Sequence, residues 1–368
     1  MTRLMSLLSG ATPAIAGAGA RFHIAHRPEA KGVKATGPLG SRNATGGDRG
    51  DGNGRFSRAR TDNEYHTSVL LEEVTHCLEP APGKLYLDGT LGGGGHSEQL
   101  LQAGAKVIGL DQDPAALSFA RARLSEHSEN FGAIQGNFCD FGEILETIGI
   151  RGLDGMLLDL GISSRQVDDA DRGFAFSKEG PLDMRMNPDA DITAEDIVNA
   201  YDAEELARIF YQYGEERASR RVARAIIEAR EIEAITTTKQ LADLVAKVCP
   251  KKGKKHPATK VFQALRIAVN DELRSLERAL AEVPQWLRPG GRLVVISFHS
   301  LEDRIVKTFL KRSSVKMLDR PEWPEPRPNP DYKFKLILQK GLVPSKEEIE
   351  TNPRARSARL RVAERLAD

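Results

Sequence analysis

A glycine-rich run beside a short apolar stretch constrains the fold of this chain more than any other feature. The run extends from Asp88 to His96, follows the short, mainly apolar stretch 84–87 and precedes a helical pattern. A second apolar stretch ends at Asp111. At the carboxyl edge of a parallel sheet, glycines let a ligand approach the backbone, and an acid about 20 residues further on can bind ribose hydroxyls. The spacing therefore predicts a nucleoside site at such an edge.

Strand and helix patterns alternate from residue 84 to residue 160 and again after residue 257, whereas the stretch between them has helical periodicity. Alternation of this kind is typical of a doubly wound parallel sheet. The chain is therefore predicted to form one Rossmann-like α/β domain interrupted by an inserted all-helical domain. The predicted segments are an N-terminal extension (1–62), the first part of the α/β domain (63–167), the helical insert (168–257) and the second part of the α/β domain (258–368).

The N-terminal extension differs in composition from the rest of the chain. It contains 11 of the 33 glycines and carries 10 basic against 4 acidic residues. Such a stretch cannot form a core and is most simply a flexible tail. Its first residues resemble a secretory or organellar signal only loosely, so we predict a cytoplasmic protein and leave the role of the extension open.

Net charge and hydropathy exclude several classes of protein. The chain has 53 basic and 52 acidic residues, so it is not a uniformly basic nucleic-acid coat, and local clusters must carry any polyanion binding. Its apolar runs are far shorter than the roughly 18 residues of a membrane span, so we predict no membrane association. The three cysteines are widely separated, and their spacing favours neither a disulfide framework nor a metal site.

Three acidic residues end apolar strands of the predicted sheet. Asp88, Asp111 and Asp159 would therefore face one crevice, although each alone could instead be a cap or turn residue. The glycines do not complete a dinucleotide fingerprint, because Ser97 occupies the third glycine position. An S-adenosylmethionine pocket uses the same sheet edge without a pyrophosphate and fits at least as well. A tight turn without a ligand is the structural alternative.

Basic residues form three clusters. They are Arg217, Arg220, Arg221 and Arg224 at helical spacing, Lys251, Lys252, Lys254 and Lys255 beside His256, and Arg354, Arg356, Arg359, Arg361 and Arg365 near the C-terminus. In a chain of net charge +1 these clusters are typical of phosphate-contacting patches, so we predict RNA binding by the first two. The alternative for the helical cluster is a solvated face paired with Glu215, Glu216 and Glu228.

Eight segments, spread along the chain in order, carry a resemblance to a known family. They are HTSVLL at 66–71, DGTLGGGGHS at 88–97, DLGISS at 159–164, RGFAF at 172–176, GPLDMRM at 180–186, YGEER at 213–217, FQALRIAVN at 262–270 and ISFHSLEDRIVK at 296–307. Together they resemble the bacterial 16S rRNA (cytosine-N4)-methyltransferase family, RsmH or MraW. The resemblance runs from about residue 65 to the C-terminus. It implies a class I S-adenosylmethionine-dependent methyltransferase fold with an inserted helical domain.

The resemblance implies transfer of a methyl group from S-adenosylmethionine to the exocyclic N4 of the cytosine at position 1402 of 16S rRNA. The partner would be that rRNA within the small ribosomal subunit or its precursor, and a homodimer stays open. The implied cofactor contacts are Gly94, Gly95, His96, Asp111, Phe138, Asp159 and Gln166. The chain departs from the family at Arg165, where proline is usual.

Cytosine N4 is a weak nucleophile because its lone pair is delocalised into the ring. The site must therefore accept the amine hydrogens and position N4 in line with the methyl group. We expect Asp159, Ser163 and Ser164, or polar groups near His299, to do this, although a lone histidine at that place is alternatively a hydrogen-bonding strut.

The target base must be unstacked, so the insert is expected to hold the surrounding RNA. Two rival functions remain, a nicotinamide-dependent oxidoreductase and a non-catalytic RNA-binding ribosome-assembly factor.

Overall fold

The computed structural model describes residues 68–249 and 256–367, so the predicted extension over 1–62 lies outside the described residues. Its strands are β1 (Leu85–Asp88), β2 (Lys106–Asp111), β3 (Phe131–Gln135), β4 (Leu153–Asp159), β5 (Leu287–Ser297), β6 (Met317–Leu318), β7 (Arg327–Pro328), β8 (Phe334–Leu336) and β9 (Arg359–Arg365). Seven of these form one sheet in the order β3-β2-β1-β4-β5-β9-β8. Strands β1 to β5 are parallel, whereas β9 runs antiparallel to both neighbours.

Helices cover the sheet and form a separate layer of their own. They are α1 (Leu71–Leu78), α2 (Gly95–Gln102), α3 (Pro114–Arg123), α4 (Phe141–Thr147), α5 (Ser164–Asp168), α6 (Ala194–Ala200), α7 (Ala203–Gln212), α8 (Ser219–Arg230), α9 (Thr238–Val248), α10 (Thr259–Asn270), α11 (Glu272–Trp286), α12 (Ser300–Ser313) and α13 (Lys346–Thr351). Among the described residues, none of these helices has the length and hydropathy needed to span a membrane.

The order of the strands creates a switch point between β1 and β4. The chain proceeds outward from β1 through β2 to β3 and then returns to place β4 on the other side of β1. In open α/β sheets a ligand crevice forms at the carboxyl ends of the strands where the direction reverses. Asp88 and Asp159 end the two strands that flank this point.

Strand β4 is buried because helices cover both faces of the parallel sheet. Successive side chains point to opposite faces, so Leu157 packs in one apolar cluster with Tyr86 and Val294. Leu158 packs in the other cluster with Phe141. A continuous apolar run is therefore the expected sequence signature of this strand, and it ends where Asp159 reaches the open edge.

The helical layer has its own apolar core, built from α6 to α9 and including Leu206, Phe210 and Ile226. Helix α10 continues this core through Phe262 and Leu265, although it lies beyond the boundary at residue 257 that the sequence predicts. The first part of the predicted insert, residues 168–193, holds only short helical turns before α6 begins.

The prediction of a phosphate-contacting cluster near the C-terminus is wrong for Arg361 and Arg365 of β9. Arg361 makes a two-point ion pair with Asp303 of α12, at 2.7 and 3.1 Å. Arg365 is buried and donates to the carbonyl of Pro284 at 3.0 Å. These arginines alternate with buried apolar residues of a sheet strand, so they hold α11 and α12 against the sheet.

Candidate active site

A pocket lies at the carboxyl ends of β1, β2 and β4, at the switch point of the sheet. It encloses about 1170 Å³, including its mouth open to solvent. Residues from the glycine loop, the strand ends, α10 to α12 and the loop before α6 line it. The predicted site residues among its lining are Gly95, His96, Asp111, Phe138, Asp159, Ser163 and Gln166.

The glycine loop closes tightly around one end of the pocket. A Cβ on Gly95 would lie 2.1 Å from Ser68 Oγ, so no side chain fits there without displacing Ser68. Gly92 has φ of 50° and donates its N–H to Asp111 Oδ2 at 2.8 Å. Gly94 is the N-cap of α2 in a left-handed conformation and faces α3, so it shapes the loop without lining the pocket.

Asp111 presents a carboxylate that the backbone holds in place. Its Oδ2 accepts the N–H of Gly92 and its Oδ1 accepts the N–H of Asp113, both at 2.8 Å. Burial raises the pKa of Asp111 to about 6, even though both donors favour the charged form. Each oxygen keeps a lone pair, so this group can accept hydrogen bonds from ribose hydroxyls.

Phe138 supplies an apolar wall beyond Asp111. The side chain of the neighbouring Asn137 accepts the N–H of Cys139 at 3.0 Å and donates to Gln112 and Ser275 at 3.3 and 3.4 Å. Gln112, Asn137 and Ser275 all line the same end of the pocket as Phe138. An aromatic face bordered by amide and hydroxyl groups suits a planar heterocycle such as adenine.

Asp159 and His96 meet at the switch point. His96 Nε2 lies 3.5 Å from Asp159 Oδ2, and the N–H of Asp159 donates to Thr90 Oγ1 at 2.6 Å. Asp88 was predicted to face the crevice with them, but it is buried behind the pocket wall. Its carboxylate accepts the Ser97 hydroxyl at 2.7 Å, and burial raises its pKa. Two of the three predicted carboxylates, Asp111 and Asp159, therefore face the pocket.

Gln166 joins the pocket to a buried ion pair. Its side-chain nitrogen donates to Asp113 Oδ2 at 3.3 Å, and Arg172 donates to the same oxygen at 2.6 Å. Ser163 caps α5 by accepting the N–H of Gln166, so its hydroxyl oxygen has a structural use although it lines the pocket. Ser164 is the first residue of α5 and lies outside the lining.

An ion network forms the wall opposite the glycine loop. Arg266 donates to both oxygens of Glu272 at 2.7 Å and lies 3.9 Å from Glu302. His299 caps α12 and lies 3.1 Å from Glu302, while only the two glutamates line the pocket. Burial raises the pKa of Glu302, but His299 and Arg266 more than offset this, so the net shift is downward.

Glu272, His299 and Glu302 are close enough to hold a metal ion, yet their bonding favours a salt-bridge network. His299 Nδ1 accepts the N–H of Glu302, which leaves Nε2 as the protonated nitrogen facing the carboxylate. Arg266 already occupies both oxygens of Glu272. The strut interpretation of His299 therefore fits its place in the structure.

Three residues that line or support the pocket had no predicted role. Asn270 accepts the N–H of Met186 at 2.7 Å and donates to the carbonyl of Met184 at 2.8 Å, which holds that loop at the pocket. Arg172 binds Asp113, and Glu272 binds Arg266, as described above. Arg172 and Asn270 lie inside two of the eight segments that carry the family resemblance, and this position could have marked them as candidates.

The predicted RNA-contacting arginines lie on the helical layer. Arg217 precedes α8, and Arg220 and Arg221 lie in its first turn; all three are exposed. None of them forms an ion pair with a residue that the structure describes. Glu215, one of the alternative partners, instead pairs with Arg304 at 3.2 Å. The predicted cluster Lys251, Lys252, Lys254 and Lys255 lies outside the described residues.

Comparison with known proteins decides the family. The sequence model of the MraW methylase family matches residues 63–366. The chain belongs to this family. A relative named "Ribosomal RNA small subunit methyltransferase H" from Anaeromyxobacter sp. (strain Fw109-5) is 50% identical over 304 residues, covering 82% of this chain and 98% of the relative. A relative of the same name from Carboxydothermus hydrogenoformans is 48% identical over 305 residues, with the same coverage of both chains.

Solved structures resemble the chain more distantly. A putative rRNA-methylase from Clostridium thermocellum matches with a TM-score of 0.39 and 12% identity, covering 82% of this chain and 98% of that one. A putative methyltransferase from Streptococcus mutans, in complex with SAH, also matches with a TM-score of 0.39 and 12% identity. This match covers 82% of this chain and 99% of that one.

Membership of the MraW methylase family confirms the resemblance that the eight segments carry. The doubly wound sheet with its pocket at the switch point has the class I arrangement that was predicted. This chain is accordingly an S-adenosylmethionine-dependent methyltransferase. The rival interpretation as a nicotinamide-dependent oxidoreductase is wrong.

Proposed function

We propose that this chain transfers the methyl group of S-adenosylmethionine to the exocyclic N4 of the cytosine at position 1402 of 16S rRNA. The observation that carries the proposal is the shared pocket of Asp111 and Asp159, where an acid suited to ribose and an acid suited to an amine face the same space. The name that the relatives carry supports small-subunit rRNA as the substrate. We further propose that the enzyme acts on this substrate in the cytoplasm.

The residues of the pocket fit the cofactor. Asp111 would accept the ribose hydroxyls, and Phe138 would pack against the adenine ring. The absence of a side chain at Gly95 lets the glycine loop pack directly against Ser68, and both residues line the pocket. Bound S-adenosylmethionine supplies an electrophilic methyl group, and the protein supplies its position.

Asp159 is the best-placed acceptor for the amine of the target base. It lines the pocket, whereas Ser164 and His299 do not, and Ser163 already accepts a backbone N–H. A carboxylate that accepts an N–H of the amine turns the nitrogen lone pair out of conjugation and can take the proton that the amine loses. Correct positioning of this kind can contribute about 7–11 kcal/mol to lowering a barrier.

The RNA around the target must be held while the base is unstacked. Arg217, Arg220 and Arg221 are exposed on the helical layer without ion-pair partners among the described residues. Guanidinium groups in that state are free to contact phosphates, and each contact would release counterions. We place the RNA backbone along this surface.

Mass spectrometry of small-subunit rRNA tests the proposal. RNA from a strain that lacks this protein should lose one methyl group on the decoding-centre cytosine, and purified protein with S-adenosylmethionine should restore it on isolated subunits. Restoration at another base would contradict the assigned position. Binding of the subunit without methyl transfer would contradict the proposed reaction.

A further inference from the structure

The pair formed by His96 and Asp159 contains polar atoms that the fold leaves without partners. His96 Nδ1, His96 Nε2 and Asp159 Oδ1 are buried and make no hydrogen bond with any residue that the structure describes. Nearly all buried polar side-chain atoms in folded proteins are hydrogen-bonded, and an unsatisfied one costs about 1–3 kcal/mol. Three of them at one contact show that His96 and Asp159 are held close together without a hydrogen bond between them.

The exposure of individual atoms shows which part of the pair can meet a ligand. The His96 side chain is 6% exposed and both of its ring nitrogens are shielded, so neither can touch a molecule in the pocket. The Asp159 side chain is 15% exposed. Its Oδ1 is shielded, whereas its Oδ2 is not, so Oδ2 is the oxygen open to the pocket. His96 thus stands behind Asp159 and can act only through it.

The remaining groups around the pair already have partners. Asp88 lies beside both residues, but its oxygens accept the Ser97 hydroxyl and the N–H of Thr90. Thr90 Oγ1 accepts the N–H of Asp159. Asp159 Oδ2 lies 3.5 Å from His96 Nε2, slightly beyond the usual hydrogen-bond distance. Catalytic hydrogen bonds are often long before the substrate binds.

We propose that His96 is a positioning residue for Asp159. Its Nε2–H donates to Asp159 Oδ2 once the acceptor amine is bound, and this bond orients the carboxylate so that the same oxygen accepts an N–H of that amine. The inference rests on the proposed amine methylation. In that reaction the N–CH3 bond forms as the S–CH3 bond breaks, and sulfur keeps the electron pair. The amine loses one proton to Asp159, and His96 keeps its own proton throughout.

Two substitutions of His96 test this role on isolated small subunits. His96→Leu removes the N–H donor, and we expect kcat to fall by about 10- to 100-fold, as for lost proton-transfer geometry. The KM for the subunit and the Kd for S-adenosylmethionine should stay within about twofold, because the shielded nitrogens touch neither. His96→Gln restores an N–H donor at a similar distance from the backbone. We expect its kcat to be about tenfold higher than that of His96→Leu.

His76→Leu is the matched control, because His76 is exposed on α1 and away from the pocket lining, and its kcat should equal that of the unmodified protein. Thermal unfolding of each variant separates misfolding from the kinetic effect. The inference would be overturned if His96→Leu kept the wild-type kcat or if both His96 variants lost kcat equally. A parallel loss of affinity for S-adenosylmethionine would also overturn it. Failure of the unmodified protein to methylate the subunit would instead overturn the proposed function.

Discussion

At the scale of single residues, the carboxylate of Asp111 links cofactor binding to pH. Burial raises its pKa to about 6, so the group loses its charge as the pH falls through that value. Protonation removes acceptor capacity for the ribose hydroxyls. We expect the Kd for S-adenosylmethionine to be constant at pH 7–8 and to rise by up to about tenfold per pH unit below 6.

Calorimetric titration between pH 5 and 8 measures this dependence. Asp111→Asn should bind the cofactor more weakly at pH 7.5 and show no such rise at low pH, since the amide does not titrate. A pH dependence that persists in Asp111→Asn would assign the effect to another group.

Gly95 supports a second prediction at the residue scale. In Gly95→Ala the new Cβ would collide with Ser68 Oγ, which lies 2.1 Å from its position, and Ser68 or the glycine loop must move. We expect the Kd for S-adenosylmethionine to increase by about 10- to 100-fold, equivalent to roughly 1.4–2.8 kcal/mol.

Removal of the colliding oxygen provides the control. Ser68→Ala leaves its own Cβ 3.4 Å from the new Cβ, so the double variant should recover most of the affinity. The two residues touch, so a strong non-additive coupling is expected in this cycle. Additive losses would show that the Gly95 effect does not arise from the contact with Ser68.

At the scale of elements, an ion network fastens α10, α11 and α12 together at the pocket. Arg266 is 13% exposed and pairs with Glu272, which is 10% exposed, and it lies close to Glu302, which is 3% exposed. Arg266→Met would leave two buried carboxylates without their cation. Removing one partner of such a network costs about 3–5 kcal/mol, and urea unfolding should show a loss of this size in the free energy of unfolding.

The exposed pair Lys239–Asp243 on α9 is the matched control. Lys239→Met removes a cation of similar geometry, with N and O 2.9 Å apart, but both side chains are well exposed. Solvent already screens such pairs, so the unfolding curve should not shift measurably. Equal effects of the two substitutions would show that burial of the Arg266 network does not set its contribution.

The elements that the sequence predicts well are those whose residues follow one period. Strand β4 contains an apolar run, residues 156–158, that ends at Asp159, so both its position and the site at its end could be predicted. In strand β9, buried residues such as Val362 stand between arginines, and two of these arginines, Arg361 and Arg365, bond inside the protein. Charge alone does not reveal whether an arginine meets solvent or an aspartate from a distant helix, so this strand was missed.

The same reason limits prediction of the site. Gly95 and Asp111 follow from local spacing around one turn and two strands. The contact between His96 and Asp159 joins the start of α2 to the end of β4, and only the fold brings them within 3.5 Å. Asp88 shares the strand-end pattern but bonds to Ser97 and is buried, because the turn after β1 bends back over it.

At the scale of the whole molecule, the pocket joins the sheet to the helical layer. Asn270, at the end of α10, holds the backbone of Met184 and Met186, and Met186 lines the pocket with the strand-end acids. The helical core and the chemical site are therefore connected by two short hydrogen bonds. RNA bound on the helical layer would thus be linked directly to the wall of the pocket.

Charge on the helical layer should control affinity for the subunit without affecting the cofactor. Arg217, Arg220 and Arg221 are exposed and lack ion-pair partners among the described residues, so each can neutralise a phosphate. Replacing all three by Gln should weaken RNA binding and reduce the slope of log K against log salt by about two to three units. The Kd for S-adenosylmethionine should stay the same, because none of the three lines the pocket.

Arg151→Gln is the control for a general effect of charge. The side chain of Arg151 is 81% exposed and lies 4.0 Å from Glu146. Arg151 precedes the amino end of β4, so it lies at the opposite edge of the sheet from the pocket. Its loss should leave the salt slope unchanged. An unchanged slope in the triple variant would exclude these arginines as phosphate contacts, and an equal change in Arg151→Gln would mean that net charge rather than a defined surface attracts the RNA.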